Sequence, residues 1–420
     1  MKKLAGFLAF VLIITTLCGV SLAQEQSVVK IMGPWVVESP EDSVLKSVVA
    51  DFEKAYPQYK VELIGVPSAD VNKQVVAMAA SQTLPDLVIT NGASNAAWKE
   101  MGIVEDISSM FTQEFLDGFY PEMLDAFRYQ DELYGLPFCA APFVLLIRSD
   151  LLEEAGLEPP QSFEEILECA RKLTVDTDGD GKIDRYGMSL MGFPDTNNSL
   201  RFTLALFGAN SPDVYIDENG KYATAIGSED SLKAFELYWT LNEEELIPPG
   251  ATEVDYKTMV SLLATDQVAM AISGPHSIGN IVVQNPDLAG KFIAVPFIGL
   301  ETVAYLNPYG MVKFAGGNDA GAAAFLEFGS SNFVEMTRVT KRPPSRIELA
   351  DVAAQKAPEI AAILDCAQYN INYLALPFRS EIDTVVYETV NAMLAGSYSS
   401  YIEAADAMQN GVQAVLDSYN

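Results

Sequence analysis

The chain has very little histidine and no motif of a catalytic centre. His276 is the only histidine among 420 residues, so a paired-histidine zinc site is excluded and a Ser-His-Asp triad would depend on that one side chain. No GxSxG, Walker or CxxC motif occurs. A glycosidase needs only two carboxylates, which 57 acidic residues do not exclude, but no particular pair stands out.

Basic residues are also scarce. Lys and Arg total 26 against 57 Asp and Glu, which gives a formal charge of −31. Nucleic acids and anionic lipid surfaces are bound by clustered Lys and Arg, so this balance argues against both as partners. Hydrophobic residues make up 49% of the chain, too large a share for a disordered acidic polymer. We interpret the acidity as a solvated surface on a chain long enough for two cores.

The first residues are typical of export. Met1 to Ala23 contains two early lysines, an apolar stretch and a small-residue cleavage site, which predicts a secretory signal peptide. A membrane anchor is the alternative, but the apolar stretch is short for one. We expect a periplasmic or extracellular protein that begins near Gln24. It would keep an odd number of cysteines, for which we expect buried side chains rather than a disulfide framework: Cys139, Cys169 and Cys366.

The segment after Gln24 alternates strands and helices. Strands are predicted at Val28 to Met32, Val61 to Leu63 and Leu87 to Thr90, with amphipathic helices between them. This alternation predicts parallel strands with right-handed crossovers. Ligands bind beyond the carboxyl ends of such strands, so the loops Gly33 to Glu38 and Thr90 to Asn95 are the first candidates for a site.

The stretch from Tyr134 to Leu173 organises the middle of the chain. Ala140 to Ile147 is an apolar run of the length of one buried strand. Gly156 is placed to end a helix in the left-handed conformation. Ser162 and Glu165 form an S-x-x-E capping box, which predicts the start of the next helix.

This stretch resembles the type 1 extracellular solute-binding proteins of ABC transporters, the maltose-binding-protein-like family. It departs from the family at Ile147-Arg148 and Ser162-Phe163, where Tyr-Asn and Thr-Trp are usual. Two more segments resemble the family in the expected order. They are Leu84 to Val88 with its downstream partner Met101 to Ile107, and Val268 to His276, where histidine replaces an aromatic residue.

The resemblance implies an α/β protein with the type II periplasmic-binding-protein fold, in which hinge strands join two α/β lobes around a ligand cleft. Residues 24–141 and 308–342 would form the first lobe, and residues 142–307 and 343–420 the second. It also implies the substrate-binding component of an ABC importer, which closes on a mono- or oligosaccharide or a polyol and delivers it to the permease subunits. We accordingly expect a monomer that is not an enzyme and requires no cofactor.

Two alternatives remain open. The same fold could bind a non-sugar solute such as glycerol phosphate or a peptide, or the chain could be a secreted carbohydrate-active enzyme. The missing indole at His276 favours a ligand smaller or more polar than a long malto-oligosaccharide.

The resemblance also implies where the ligand-binding residues lie. In this family an aromatic ring stacks on the sugar while amide, carboxylate and guanidinium groups bond its hydroxyls. Structural roles are the alternative for Trp35, His276 and the pair Asn197-Asn198. The predicted ligand-binding residues are Trp35, Glu38, Thr90, Asn91, Ser94, Asn197, Asn198, His276, Tyr309, Phe378 and Arg379, with Cys139 to Ala141 near the crossing.

An acidic loop follows the first crossing. Carboxylates at alternate positions with glycine at the sixth are typical of the first half of an EF-hand calcium loop. Gly187 stands at the twelfth position, where a bidentate Glu is usual, so an acidic turn is the alternative. The residues predicted to hold a structural calcium ion are Asp176, Asp178, Asp180, Lys182 and Asp184.

Overall fold

The computed structural model describes residues 26–357, 360, 366–371 and 373–420. The predicted signal peptide lies outside the described residues. The strands in chain order are β1 (Ser27–Gly33), β2 (Tyr59–Gly65), β3 (Leu87–Thr90), β4 (Arg128–Tyr129), β5 (Glu132–Leu133), β6 (Gly135–Ala140), β7 (Val144–Arg148), β8 (Tyr186–Ser189), β9 (Tyr215–Ile216), β10 (Tyr222–Ala223), β11 (Val268–Ser273), β12 (Phe292–Val295), β13 (Phe297–Ile298), β14 (Thr302–Val303) and β15 (Pro308–Lys313).

The helices alternate with these strands through most of the chain. The α-helices of the described residues are Glu41–Ala55, Val71–Ala80, Asn95–Glu100, Gln113–Leu116, Pro121–Asp125, Ser149–Ala155, Phe163–Leu173, Thr196–Gly208, Ser231–Glu243, Tyr256–Ala264, Pro275–Gln284, Asp319–Asn332, Val334–Thr340, Ala350–Lys356, Arg379–Leu394 and Tyr401–Asp417.

The first lobe is built on a five-stranded sheet in the order β2-β1-β3-β15-β6. β1 pairs in parallel with both β2 and β3, which confirms the parallel sheet predicted from the alternation of strands and helices. β15 returns late in the chain and runs antiparallel to β3 and β6. The core of this lobe joins early and late residues, among them Ile31, Phe52, Met311 and Phe325.

The second lobe is built on a four-stranded sheet in the order β12-β7-β11-β8. The apolar run predicted as one buried strand, Ala140 to Ile147, is divided in the structure. Ala140 ends β6 in the first lobe, and β7 lies between antiparallel neighbours in the second. The next helices begin and end as predicted. Gly156 has φ 65° at the end of one helix, and the hydroxyl of Ser162 accepts the N–H of Glu165 at 3.1 Å at the start of the next.

The lobes are joined where two chain segments cross side by side. The N–H of Ala141 donates to the carbonyl of Asn307 at 3.1 Å, and the N–H of Phe143 donates to the carbonyl of Tyr305 at 2.8 Å. A later segment lies against the same place, because the N–H of Ala304 donates to the carbonyl of Tyr369 at 2.9 Å. These backbone hydrogen bonds join the segments that connect the two lobes.

The segment that follows the helix Val334–Thr340 remains on the first lobe. The N–H of Ala140 donates to the carbonyl of Pro343 at 2.9 Å, and the N–H of Tyr120 donates to the carbonyl of Ser345 at 3.0 Å. The guanidinium of Arg346 lies 4.6 Å from the ring centre of Phe115. The resemblance predicts that residues 343–420 belong to the second lobe. In the structure residues 343–346 lie on the first lobe instead, because their backbone hydrogen bonds go to that lobe.

The cysteines are buried, as expected from their number and type. Cys139 and Cys169 are free thiols, and Cys366 is buried as well. Burial raises the pKa of the Cys139 and Cys169 thiols to about 11. Because a thiol with a raised pKa is a poor nucleophile, these two residues are inert packing groups.

Candidate functional site

A cleft of about 420 Å³ opens between the two lobes beside the crossing segments. A volume of several hundred Å³ suits a small-molecule ligand. One wall comes from the first lobe, the other from the crossing strand and the late segment that lies against it. The cleft is lined by Asn91, Gly92, Ala93, Glu122, Asp125, Ala126, Arg128, Tyr129, Tyr305, Pro308, Asn370, Ile371, Tyr373, Leu374 and Ala375.

Asn91 stands at the carboxyl end of β3, where an α/β sheet is expected to bind its ligand. Its Oδ1 accepts the N–H of Ala93 at 3.2 Å, and its Nδ2 donates to Oδ1 of Asn307 at 3.1 Å. The loop is drawn close to a helix end, because a Cβ on Gly92 would lie 2.4 Å from the carbonyl of Ala126. Of the predicted ligand-binding residues, Asn91 is the one that lines this cleft.

The rest of the first wall is charged and aromatic. Glu122 and Asp125 come from the helix Pro121–Asp125, and Arg128 and Tyr129 from β4. The guanidinium of Arg128 lies 3.6 Å from a carboxylate oxygen of Asp125, so part of this charge is internally compensated. The wall therefore offers a carboxylate, a guanidinium and a tyrosine for hydrogen bonds with a polar ligand.

The second wall is built around two tyrosines. The rings of Tyr305 and Tyr373 lie 5.3 Å apart between centres. Burial raises the pKa of both phenols above the ordinary value, so they are protonated hydrogen-bond donors at neutral pH. Asn370 stands beside them, and its Oδ1 accepts the backbone N–H of Leu306 at 2.9 Å.

Trp35 and Tyr309 contact each other rather than the cleft. Their rings lie 6.2 Å apart, and Trp35 also packs 5.4 Å from Phe333. The indole is only 2% exposed, because the loop after β1 turns it into the core of the first lobe. The guanidinium of Arg342 covers the other ring at 5.4 Å from its centre. Trp35 therefore has the structural role that was the alternative to ligand binding: it packs in the core of the first lobe.

The remaining predicted residues of the first lobe bond to neighbouring loops. The carboxylate of Glu38 accepts the N–H of Ser68 at 2.8 Å and its hydroxyl at 3.0 Å. The hydroxyl of Ser94 donates to Asn72 at 2.8 Å. Thr90 pairs with Gly310 across the sheet. These contacts stabilise the loops around the sheet edge, and none of the three lines the cleft.

Asn197 and Asn198 lie in the first turn of the helix Thr196–Gly208. The cap of this helix is Asp195, whose carboxylate accepts the N–H of Asn198 at 2.9 Å. Asn198 is buried and donates from its side chain to the carbonyl of Phe193 at 3.3 Å. Neither asparagine is the helix cap, because Asp195 takes that position. Neither asparagine lines the cleft.

Phe378 and Arg379 lie behind the second wall. The ring of Phe378 stacks 4.0 Å from that of Tyr419 in the core of the second lobe. Arg379 is 4% exposed and forms ion pairs with Asp213 and Asp383. These carboxylates account for the burial of the guanidinium, since a buried charge needs partners.

His276 faces the first lobe at a contact between helices. It lines a space of about 10 Å³, roughly the volume of one water, together with Tyr256, Glu41 and Arg342. Its ring stacks 6.0 Å from that of Tyr256. Burial lowers the pKa of His276 well below the ordinary 6.5, and the charges of Arg342 and Arg201 lower it further. The histidine is therefore neutral at physiological pH.

The acidic loop brings part of the predicted calcium set together. Carboxylate oxygens of Asp176, Asp178 and Asp184 all lie within 4.8 Å of one another. Asp176 also accepts the N–H groups of Gly179 and Gly181 at 2.7 and 2.8 Å. Asp180 instead accepts from Lys182, whose ammonium lies 3.2 Å away. The oxygen-rich cluster has the donor chemistry that calcium requires.

Sequence reasoning missed most of the cleft lining. The only signal available for Tyr305 in the sequence is an aromatic residue shortly before Asn307-Pro308. Tyr373 comes shortly before Phe378 and Arg379, the two residues of this region that the resemblance predicts to bind the ligand. The residues of the helix Pro121–Asp125 and of β4 gave no local signal, because their position depends on how the loop after β3 packs.

The two α/β lobes and the crossing strands between them define the type II solute-binding fold, which confirms the prediction. A family model described as bacterial extracellular solute-binding protein matches residues 37–332. The chain belongs to this family.

Solved structures of two solute-binding proteins share the fold. One is from Thermotoga lettingae TMO, bound with α-D-tagatose, with a TM-score of 0.80 and 23% identity over 93% of this chain and 100% of that one. The other is maltose-bound MalE3 of T. maritima, with a TM-score of 0.80 and 19% identity over the same shares. At these identities the likeness shows the fold alone.

A curated relative by sequence is the maltotriose-binding protein of Pyrococcus abyssi (strain GE5 / Orsay). It is 25% identical over 297 residues, which are 70% of this chain and 60% of the relative. The chain spans about 50 to 60% of the length of the curated relatives it matches. Among the described residues, no helix combines the length and hydropathy that a bilayer crossing requires.

Proposed function

We propose that the protein captures a carbohydrate or polyol in the cleft between its lobes and delivers it to the permease of an ABC importer. The observation that carries the proposal is the composition of the two walls. Asn91 and Tyr129 on the first lobe face Tyr305, Asn370 and Tyr373 across about 420 Å³. Sugars are recognised by this combination of aromatic faces and fixed polar groups.

The geometry suits capture by closure. The crossing segments are short and bonded to each other, so each lobe can turn as a body while its own sheet stays intact. A ligand that contacts both walls stabilises the closed arrangement over the open one. The names of relatives support a sugar as that ligand, since they include maltotriose-, mannitol- and lactose-binding proteins.

The proposal includes no chemical turnover. The relatives are binding proteins, and the carboxylate of Asp125 is already engaged by Arg128. We further propose that the protein is exported, acts as a monomer and uses its closed form to dock on permease subunits. Its formal net charge of −31 argues against nucleic-acid partners.

A thermal-shift screen of the purified protein tests the proposal. The panel holds maltotriose, lactose, mannitol and D-tagatose, with glycerol phosphate and a peptide mixture as the non-sugar arms. A sugar at about one hundred times its dissociation constant stabilises the folded state by about 2.7 kcal/mol. We expect one sugar or polyol class to raise the melting temperature.

The variant Asn91→Ala should lose that rise, whereas Asn219→Ala, in an exposed turn of the second lobe, should keep it. A response to glycerol phosphate or peptide alone would overturn the sugar proposal and leave the fold. Hydrolysis of a panel glycan by the pure protein would overturn the absence of turnover.

A further inference from the structure

Tyr373 is held from behind by a buried arginine. The guanidinium carbon of Arg379 lies 4.0 Å from the centre of the Tyr373 ring, which is a stacking distance. Tyr305 also lines the second wall, and its ring centre lies 5.3 Å from that of Tyr373. The Tyr373 ring at the cleft therefore contacts both another tyrosine and a buried guanidinium.

One carboxylate oxygen joins the phenol to the arginine. Oδ1 of Asp383 accepts the hydroxyl of Tyr373 at 2.7 Å and accepts Nε and Nη2 of Arg379 at 3.0 and 2.9 Å. It also accepts the hydroxyl of Ser199 at 2.9 Å. The orientation of the phenol and that of the guanidinium are thus set by the same acceptor.

A second carboxylate, Asp213, also accepts from the arginine. Asp213 accepts from Nη2 of Arg379, and both carboxylates are buried with it. The pKa of Arg379 is raised well above its ordinary value, because the charges of Asp213 and Asp383 outweigh the desolvation that opposes it. The guanidinium therefore stays charged behind the wall.

We propose that Arg379 is a positioning residue, which with Asp383 fixes the ring of Tyr373 on the cleft wall and so sets the affinity of the cleft for its ligand. The proposal rests on the function proposed above. Arg379 acts through Tyr373, because its guanidinium is buried behind the ring and its carboxylate partners hold it there. The stacked, planar guanidinium is what lysine cannot reproduce.

A double-mutant cycle tests this dependence. Calorimetric titrations with maltotriose, mannitol and D-tagatose compare Arg379→Lys, Tyr373→Leu and the double variant with the unchanged protein. We expect Tyr373→Leu to weaken binding about tenfold or more, as truncation of a central aromatic contact does. Arg379→Lys should also weaken binding, and the double variant should bind no more weakly than Tyr373→Leu alone.

The controls are matched by residue type. Arg171→Lys changes an exposed arginine of the same lobe, which pairs with Glu244, and should leave affinity unchanged. If Arg379→Lys fails to fold, Tyr373→Phe removes only the hydroxyl that Asp383 accepts and should weaken binding several-fold. Tyr419→Phe removes an exposed hydroxyl bonded to Glu381 and serves as its control.

A second readout needs no sugar. In protein labelled with ¹³C-tyrosine, the signal lost in Tyr373→Leu identifies Tyr373, and Arg379→Lys should shift or broaden that signal while Arg171→Lys does not. A Tyr373 signal unchanged in Arg379→Lys would overturn the proposal, as would losses of affinity that add in the double variant. If no panel sugar binds the unchanged protein, the sugar function fails, and the labelled tyrosine alone decides whether Arg379 positions the ring.

Discussion

The side chain of Asn91 donates a hydrogen bond of 3.1 Å to Oδ1 of Asn307. The first residue lies at the cleft, and the second lies in the segment that crosses between the lobes. The backbone carbonyl of Asn307 also accepts the N–H of Ala141 in the other crossing segment. Asn91 at the cleft is therefore connected to both crossing segments through one residue.

Asn307 is also unusual in its backbone, with φ 44° although it is not glycine. Asparagine tolerates this left-handed conformation better than alanine does. We expect Asn307→Ala to lower the free energy of unfolding by about 1–3 kcal/mol, because it strands a polar partner and strains the backbone. Asn307→Gly should cost less than Asn307→Ala in urea unfolding. The control is Asn242→Ala, which removes an amide that donates to the carbonyl of Leu394 at 3.3 Å. Equal losses in the two Asn307 variants, or a loss as large in Asn242→Ala, would contradict the backbone argument.

Trp35 should behave as a core residue. Its ring packs on Tyr309 and Phe333, and it is 2% exposed. We expect Trp35→Ala to cost about 3–5 kcal/mol of stability, as other large-to-small core substitutions do, and Trp35→Phe to cost less. Chemical denaturation measures the loss, and titration with a sugar that shifts the unchanged protein measures binding. A Trp35→Phe variant that keeps its stability but loses sugar affinity would return Trp35 to the binding site.

His276 should make stability depend on pH. Its folded pKa lies well below 6.5, since burial disfavours the charged imidazole and Arg342 and Arg201 repel it. Both states are neutral above the unfolded pKa of about 6.5, and below it the unfolded chain binds the proton first. Stability should therefore fall with decreasing pH, by up to about 1.4 kcal/mol per pH unit from this group.

The comparison with His276→Gln isolates that contribution from the many carboxylates. We expect the free energy of unfolding of the unchanged protein, minus that of the variant, to stay constant between pH 7.5 and 8.5 and to decrease below about pH 6.5. Urea unfolding at a series of pH values measures it. Parallel curves down to pH 5 would show that the imidazole titrates equally in both states.

The acidic loop remains predicted to bind calcium through Asp176, Asp178 and Asp184. Three carboxylates held close together repel one another until a cation neutralises them. Calcium should therefore raise the melting temperature relative to chelator, and Asp178→Ala should abolish the rise. Asp217→Ala, in the other acidic turn of the second lobe, is the matched control and should retain it. Equal melting temperatures in calcium and chelator would leave the loop as an acidic turn.

The fold was predictable because its signals are local. The capping box at Ser162 and Glu165, the left-handed Gly156 and the apolar run that contains most of β7 each depend on a few neighbouring residues. The cleft was predictable only at Asn91, since the end of a parallel strand is readable from the strand itself. Arg379 was predicted as a ligand contact, yet Asp213 reaches it from a distant segment, and together with Asp383 on the next turn of its own helix it pairs with the buried guanidinium.

Composition and local patterns are enough to show that the chain is acidic, rich in apolar residues and built of alternating strands and helices, with the segments of a two-lobed binding protein. Which polar and aromatic side chains face the cleft depends instead on tertiary packing. Tyr305 and Tyr373 are separated by 68 positions, and their rings are brought to 5.3 Å by the backbone bonds between the crossing strand and the late segment. Such contacts depend on the packing of whole lobes, which no local pattern of residues encodes.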